Sequence, residues 1–164
     1  MISDRQILVV DDDENDRQLT MAALTQRGDE LRVHTAQDGA EALDYLHARN
    51  AFKDRPAGSL LMILLDLNMP RVDGWEVLRQ LKSDPVLRTI PVVVFTSSSR
   101  DHDREQCYVL GANAYVVKPI DHREYAETVR DILAFWVERN TPCAPPPGGV
   151  EDPGILAGRT AALP

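Results

Sequence analysis

Residues 60–65 form an unbroken apolar run, Leu-Leu-Met-Ile-Leu-Leu, which ends at Asp66 and is followed by the turn-forming residues Asn68, Pro70 and Gly74. A run of this length between turn residues is typical of a strand buried on both faces of a parallel sheet. Asp66 is therefore predicted at the carboxyl end of that strand, the edge at which open α/β sheets bind their ligands.

Three further apolar runs end in polar side chains. Residues 7–10 lead into Asp11 and Asp12, residues 91–95 lead into Thr96, and residues 114–117 lead into Lys118. Because the carboxyl ends of parallel strands meet at one edge of a sheet, these carboxylate, hydroxyl and ammonium groups are expected to lie close together.

A cluster of carboxylates favours a bound cation. Two carboxylates about 5 Å apart repel each other by roughly 3 to 4 kcal/mol at an effective dielectric constant near 20. Asp11, Asp12 and Asp66 therefore require a counter-charge. Their oxygen ligands suit Mg²⁺, which keeps several waters and binds beside phosphate. Thr96 and Lys118 add a hydroxyl donor and a positive charge for a phosphoryl oxygen. The pattern predicts a phosphate acceptor.

The strand patterns alternate with helical patterns, which is typical of a doubly wound α/β fold with a parallel sheet. A further strand is expected over residues 31–36, and helices over about 14–27, 39–49, 74–83, 101–110 and 122–139. One domain is therefore predicted over residues 1–139. Residues 140–164 are rich in proline and are predicted to form a tail or dimerisation arm, with no output domain.

Composition narrows the class of function. The formal net charge of −8 disfavours a nucleic-acid partner, which requires a basic face. The chain has two cysteines, Cys107 and Cys143, and no signal peptide at its start, so a cytoplasmic location with reduced thiols is expected. The longest apolar stretches have the length of strands, so no membrane span is expected.

Other polar residues are predicted to have local roles. Asp13, Asn15 and Asp16 follow the first strand and are expected to cap the next helix. The four histidines share no spacing that would gather a metal site, so they are expected at surface or half-buried positions.

Taken together, these residues resemble a known family. Asp11, Asp12, Asp66, Thr96 and Lys118, the last followed by a proline, stand in order at the expected strand ends. This set closely resembles the receiver domain of two-component response regulators. The resemblance extends from about residue 5 to about residue 138.

Within that family, the chain is similar to the stand-alone regulators that partner bacterial and cyanobacterial phytochromes. The similarity lies in the long segment 50–58, the Thr-Ser-Ser sequence 96–98 and the Ile-Leu-Ala-Phe-Trp sequence 132–136. It implies the flavodoxin-like receiver fold, with five parallel strands in the order 2-1-3-4-5.

The resemblance also implies a role for each residue of the cluster. Asp66 would be the nucleophile that accepts a phosphoryl group, forming an aspartyl phosphate. Asp12 would bind Mg²⁺ directly and Asp11 through water, with Asp66 and the backbone carbonyl of Asn68 completing the protein ligands. Lys118 would pair with Asp66 at rest and with the phosphate afterwards, and its bond to the following proline is expected to be cis.

The same resemblance implies a switch and a partner. Thr96 and Tyr115 match the two switch positions, so the Thr96 hydroxyl would move to the phosphate and the Tyr115 ring would turn inward. The donor would be a sensor histidine kinase, specifically a bacteriophytochrome, and the downstream target is an unidentified protein. The chain would catalyse only its own phosphorylation and slow dephosphorylation, and would not be a metabolic enzyme.

Two alternative functions compete with this interpretation. A haloacid-dehalogenase-type phosphatase also forms an aspartyl phosphate, and the aspartates at 11–13 and a strand ending in Thr96 fit its pattern. Against it, Asn15 stands where a Thr or Val is usual, no acidic pair follows Lys118, and Asp66 would have no role. The other alternative is a phosphorylation-independent interaction domain, which the complete set of acceptor, acidic pair, hydroxyl and lysine disfavours.

The last helix suggests an assembly. At about 100° per residue, a narrow apolar stripe contains Tyr125, Val129, Ile132 and Trp136. Phe135 lies outside that stripe and is expected near the solvent edge. A homodimer is therefore predicted through the face of helix four, strand five and helix five, reinforced by apolar residues 155–157 of the C-terminal arm.

Overall fold

The computed structural model describes residues 5–25, 31–55 and 59–143. The five strands are β1 (Arg5–Val10), β2 (Arg32–Ala36), β3 (Ser59–Leu65), β4 (Val92–Thr96) and β5 (Ala114–Val117). The five α-helices are α1 (Glu14–Thr25), α2 (Gly39–Leu46), α3 (Gly74–Ser83), α4 (Asp101–Val109) and α5 (His122–Leu133). Two short 3₁₀ helices cover Asn50–Phe52 and Leu87–Thr89, and a π-helix covers Ala134–Arg139.

The strands form one parallel sheet in the order β2-β1-β3-β4-β5. The predicted fold class and strand order are thus confirmed. The chain moves outward from β1 to β2 and then returns to the other side of β1 for β3. This reversal opens a crevice at the carboxyl edge of the sheet, which is the usual ligand position in such folds.

Both faces of the sheet are buried, which explains why the strands are apolar without alternation. In β1, Ile7 and Val9 pack with residues of α1 and α5, whereas Leu8 and Val10 pack with residues of α2, α3 and α4. Side chains alternate between the faces of a strand, so each run of apolar residues supplies two cores at once.

Two helix ends differ from the sequence prediction. The helix α2 ends at Leu46 and not near residue 49, because Ala48 and Asn50 both have a φ of 50° and cannot continue it. The predicted end of α1 near residue 27 lies outside the described residues. The predicted C-terminal arm beyond residue 143 also lies outside them.

The last helix changes type within its predicted span. It is α-helical to Leu133 and becomes a π-helix from Ala134, in which the Asn140 N–H donates to the carbonyl of Phe135 at 2.7 Å. The wider turn shifts the inner face, so Val137 is buried while Trp136 is only partly buried. The exposed position predicted for Phe135 is confirmed, since 53% of it is exposed.

Candidate functional site

The polar strand ends meet in one cleft at the carboxyl edge of the sheet. Asp11 and Asp12 follow β1, Asp66 follows β3 and Lys118 follows β5. The residues that line the cleft are Asp12, Asp13, Glu14, Asn15, Asp16, Asp66, Asn68, Ser97 and Lys118. The sequence-predicted acceptor, acidic pair and lysine are therefore brought together.

Asp66 is fixed at the floor of this cleft. Its backbone N–H donates to the carbonyl of Val10 at 2.9 Å, which extends the pairing of β1 and β3 past their ends. Its Oδ1 accepts from the Leu67 N–H at 2.7 Å, and its Oδ2 lies 3.2 Å from Nζ of Lys118. Asn68 follows in the same loop and lines the cleft, but the role of its carbonyl stays a prediction.

Three carboxylates are close enough to share a cation. Asp11, Asp12 and Asp66 present oxygen atoms that lie within 4.8 Å of one another, with Asp12 exposed and the other two buried. Burial raises the pKa of Asp11 to about 6, against the opposing effects of Lys118 and of the Asp13 N–H, which donates to Asp11 Oδ1 at 3.0 Å. A hard oxygen ligand set with one exposed member fits a divalent cation that enters from solvent.

Lys118 is the positive charge of the cleft. Its Nζ lies 2.7 Å from Asp11 Oδ2, 2.7 Å from Asp16 Oδ2 and 3.2 Å from Asp66 Oδ2. Burial alone lowers the pKa of Lys118, but the charges of Asp11 and Asp66 and the hydrogen bonds to Asp11 and Asp16 outweigh it and raise the pKa above its ordinary value. The carboxylates around it thus favour the protonated, positively charged form of this side chain.

Asp16 is a site residue that the sequence prediction missed. The predicted capping role belongs to Asp13, whose Oδ1 accepts from the N–H groups of Asn15 at 2.8 Å and Asp16 at 3.2 Å. The Asp16 side chain instead pairs with Lys118. A sequence signal existed, because an acid in the first turn of α1 must lie near the end of the preceding strand.

The proposed switch residues lie behind the cleft. Thr96 is fully buried, and its Oγ1 accepts from the Ser98 N–H at 3.3 Å. The next residue, Ser97, lines the cleft and was not predicted as a site residue. The hydroxyl of Tyr115 donates to the carbonyl of Ser98 at 2.9 Å, and its ring packs against the core. The coupling of Thr96 and Tyr115 to phosphorylation stays a prediction.

The prediction of a cis bond before Pro119 was wrong. The Lys118–Pro119 bond is trans, as is every peptide bond in the described part of the chain. The Lys118 N–H donates to the carbonyl of Thr96 at 2.8 Å, so β5 keeps its pairing with β4 up to this residue. From there the long side chain reaches the carboxylates without a change of backbone isomer.

Within residues 5–25, 31–55 and 59–143, no helix is long and apolar enough to cross a bilayer.

Known proteins share both the sequence and the fold. The family model of the response regulator receiver domain matches residues 7–130. The probable methanogenesis regulatory protein FilR2 of Methanothrix harundinacea is 39% identical over 136 residues, which cover 82% of this chain and 84% of that protein. The response regulator Rcp1 of Synechocystis is 35% identical over 135 residues, which cover 82% of this chain and 90% of Rcp1.

Solved structures agree with these relatives. The phosphorylated cyanobacterial phytochrome response regulator RcpA has a TM-score of 0.80 at 35% identity and covers 85% of this chain and 98% of its own. The Mn²⁺-bound form of Rcp1 has a TM-score of 0.79 at 34% identity, and the match covers 85% of this chain and 99% of the Rcp1 chain. The resemblance to phytochrome-associated regulators is thus confirmed. Because the family model spans most of the chain and its acidic cleft lies at the reversal of a 2-1-3-4-5 sheet, this protein belongs to the response regulator receiver domains of two-component systems.

Proposed function

We propose that this protein is a phosphorylation switch that accepts a phosphoryl group on Asp66 from the phosphohistidine of a sensor kinase. The observation that carries the proposal is the contact of Asp66 with Lys118 beside two further carboxylates. A carboxylate that only caps a helix or starts a turn does not require a lysine and two further carboxylates around it. A nucleophile that must approach an anionic phosphoryl group needs both a cation site and a fixed ammonium.

The transfer exchanges one bond for another. A carboxylate oxygen of Asp66 attacks phosphorus, the donor N–P bond breaks as the O–P bond forms, and the leaving imidazole takes a proton from solvent. Lys118 then pairs with the phosphoryl oxygens. Asp11, Asp12, Asp66 and the carbonyl of Asn68 would hold Mg²⁺, which supplies positive charge to the transferred group. Water reverses the modification slowly, so the chain is a switch and not a metabolic enzyme.

The partner in this proposal is a histidine kinase of the phytochrome class, including the bacteriophytochromes. The support is the similarity to RcpA and Rcp1, since RcpA is a cyanobacterial phytochrome response regulator. Phosphorylation would move the Thr96 hydroxyl to the phosphate and let the Tyr115 ring turn inward, and an unidentified downstream protein would recognise that change.

A homodimer is the second part of the proposal. Several apolar side chains are exposed on and beside α4, β5 and the helix after α5, namely Tyr108, Val109, Val117, Ile120 and Phe135. An isologous contact between two copies would remove such exposed apolar groups from water.

The test of the phosphoacceptor uses acetyl phosphate and Mg²⁺ with acid-labile labelling as the readout. Asp66→Asn should abolish labelling, because it removes the nucleophile without changing the side chain's size. Asp11→Asn should only weaken it, because it acts through the metal. Labelling that survives in Asp66→Asn and is lost in Asp11→Asn would support the haloacid-dehalogenase-type phosphatase instead. A panel of purified histidine kinases, compared by the speed of transfer, then identifies the donor.

A further inference from the structure

The ammonium of Lys118 is shared unequally. It lies closer to Asp16 and Asp11, at 2.7 Å each, than to Asp66, at 3.2 Å. The proposed function requires Lys118 to pair with a phosphoryl group on Asp66. Two carboxylates therefore hold this cation before the phosphoryl group arrives.

These two carboxylates are not equivalent. Asp11 belongs to the group of three that can bind a metal ion, together with Asp12 and Asp66. Asp16 is not a member of that group among the described residues. A cation in the cleft therefore competes for Asp11 but leaves Asp16 as a partner for Lys118 alone.

The backbone of Asp16 is held from two sides. Its N–H donates to Oδ1 of Asp13 at 3.2 Å, and its carbonyl accepts from the hydroxyl of Tyr125 on α5 at 3.3 Å. That hydroxyl also lies 3.0 Å from Oγ1 of Thr20, one turn further along α1. The backbone of Asp16 thus has a fixed position beside the cleft, from which its carboxylate reaches Lys118.

We propose that Asp16 is a positioning residue that competes with the phosphoryl group on Asp66 for the ammonium of Lys118, and so limits how strongly the phosphorylated form is stabilised. The inference rests on the proposed function of Asp66. Its physical basis is that the three N–H donors of the ammonium already face Asp11, Asp16 and Asp66, so the phosphoryl oxygens must share them with Asp16. Asp16 also adds a negative charge beside the incoming anion.

Asp16→Asn tests this in the full chain. The probe is beryllofluoride, an analogue of the phosphoryl group on a carboxylate, titrated calorimetrically in excess Mg²⁺. The variant should bind it roughly fivefold more tightly than wild type, the size expected for loss of one partly exposed ion pair. Phosphorylation by acetyl phosphate should also reach a higher steady level.

Glu14→Gln is the matched control. It removes the same charge from the same rim of the cleft, but Glu14 accepts its hydrogen bond from Gln18 at 3.2 Å. Its effect on beryllofluoride binding should be clearly smaller than that of Asp16→Asn. Equal effects in the two variants, or weaker binding in Asp16→Asn, would overturn the inference, because the charge would then act without Lys118.

A double-mutant cycle distinguishes a positioning role of Asp16, which acts through Lys118, from a general effect of the substitution on the structure. In a Lys118→Gln background, Asp16→Asn should no longer tighten binding, whereas a merely structural effect would persist and would overturn the inference. If wild type neither labels with acetyl phosphate nor differs from Asp66→Asn in beryllofluoride binding, the proposed function itself fails. If wild type labels on Asp66 and only the Asp16 effect is missing, the failure concerns Asp16 alone.

Discussion

The first residue of α3, Gly74, lies directly against the backbone of Asp66. A β-carbon built on Gly74 would lie 2.1 Å from the carbonyl oxygen of Asp66 and 2.7 Å from the α-carbon of Leu67. The Gly74 N–H donates to the carbonyl of Leu67 at 2.9 Å. The start of α3 thus fixes the loop that carries the acceptor, and only a residue without a side chain permits this approach.

Gly74→Ala should therefore displace the acceptor loop. Because the contact is with backbone and cannot relax by a rotamer change, we expect a loss of about 1–3 kcal/mol in the free energy of unfolding and slower labelling by acetyl phosphate. Gly39→Ala is the matched control, since Gly39 begins α2 and its β-carbon would lie 2.3 Å from the carbonyl oxygen of Val72. It should lose similar stability with a smaller change in labelling rate. Equal labelling rates in both variants would contradict this role of Gly74.

Metal binding should depend on pH through Asp11. Burial raises the pKa of Asp11 to about 6, and a protonated carboxyl is a poor metal ligand. The affinity for Mg²⁺ or Mn²⁺ should therefore be constant above about pH 7 and fall as the pH drops through 6, since the ion must displace a proton. Isothermal titration between pH 5 and 8 measures this. Asp11→Asn should bind weakly with a flatter profile, and a wild-type affinity that is constant to pH 5 would refute the prediction.

Stability should depend on pH through His34 in β2. The His34 ring stacks on Tyr45 with centroids 4.2 Å apart, and its Nε2 is buried without a hydrogen-bond partner. Burial lowers the pKa of His34 below its ordinary 6.5, with the Arg55 charge adding to this effect and Glu41 opposing it.

The direction of this pH dependence follows from proton linkage. Below pH 6.5 the unfolded chain binds a proton at His34 that the folded chain resists, so stability should fall as the pH falls, with a slope of up to about 1.4 kcal/mol per pH unit. His34→Phe keeps a ring against Tyr45 and should remove this part of the slope. Urea unfolding of both proteins at pH 5 to 8 measures the difference, and parallel curves would contradict the assignment.

The proposed dimer should depend on Phe135. Truncation after Asn140 combined with Phe135→Glu should give a monomer by light scattering, because a charge is placed in the apolar contact. Val86→Glu is the control, since Val86 is as exposed as Phe135, at 53% each, but lies in the connection between α3 and β4. A wild type that is already monomeric at tens of micromolar would refute the dimer.

The sheet and most of the cleft could be predicted from the sequence because they depend on short-range patterns. The apolar run before Asp66 requires a buried strand, and the residue after such a strand must lie at its carboxyl edge. The same reasoning correctly placed Asp11, Asp12 and Lys118. These residues need only the strand pattern and the parallel arrangement to be brought together.

The features that were missed depend on contacts between distant residues. Asp16 looked like a capping residue because its partner, Lys118, is 102 positions away. The π-helix after α5 changes the inner face from Trp136 toward Val137, which no 3.6-residue periodicity can indicate. The trans bond before Pro119 also differs from the prediction, which rested on the family resemblance and not on a local sequence pattern.

The bond between Lys118 and Asp11 joins residues 107 positions apart, so the cleft exists only when the first and last strands share one sheet. During synthesis, a nascent chain that has emerged through β3 carries the acceptor but lacks the cation that neutralises it. Its acidic strand ends repel one another until β5 docks. Under the proposed function, a chain therefore cannot accept a phosphoryl group until β5, which leads into Lys118, has joined the sheet.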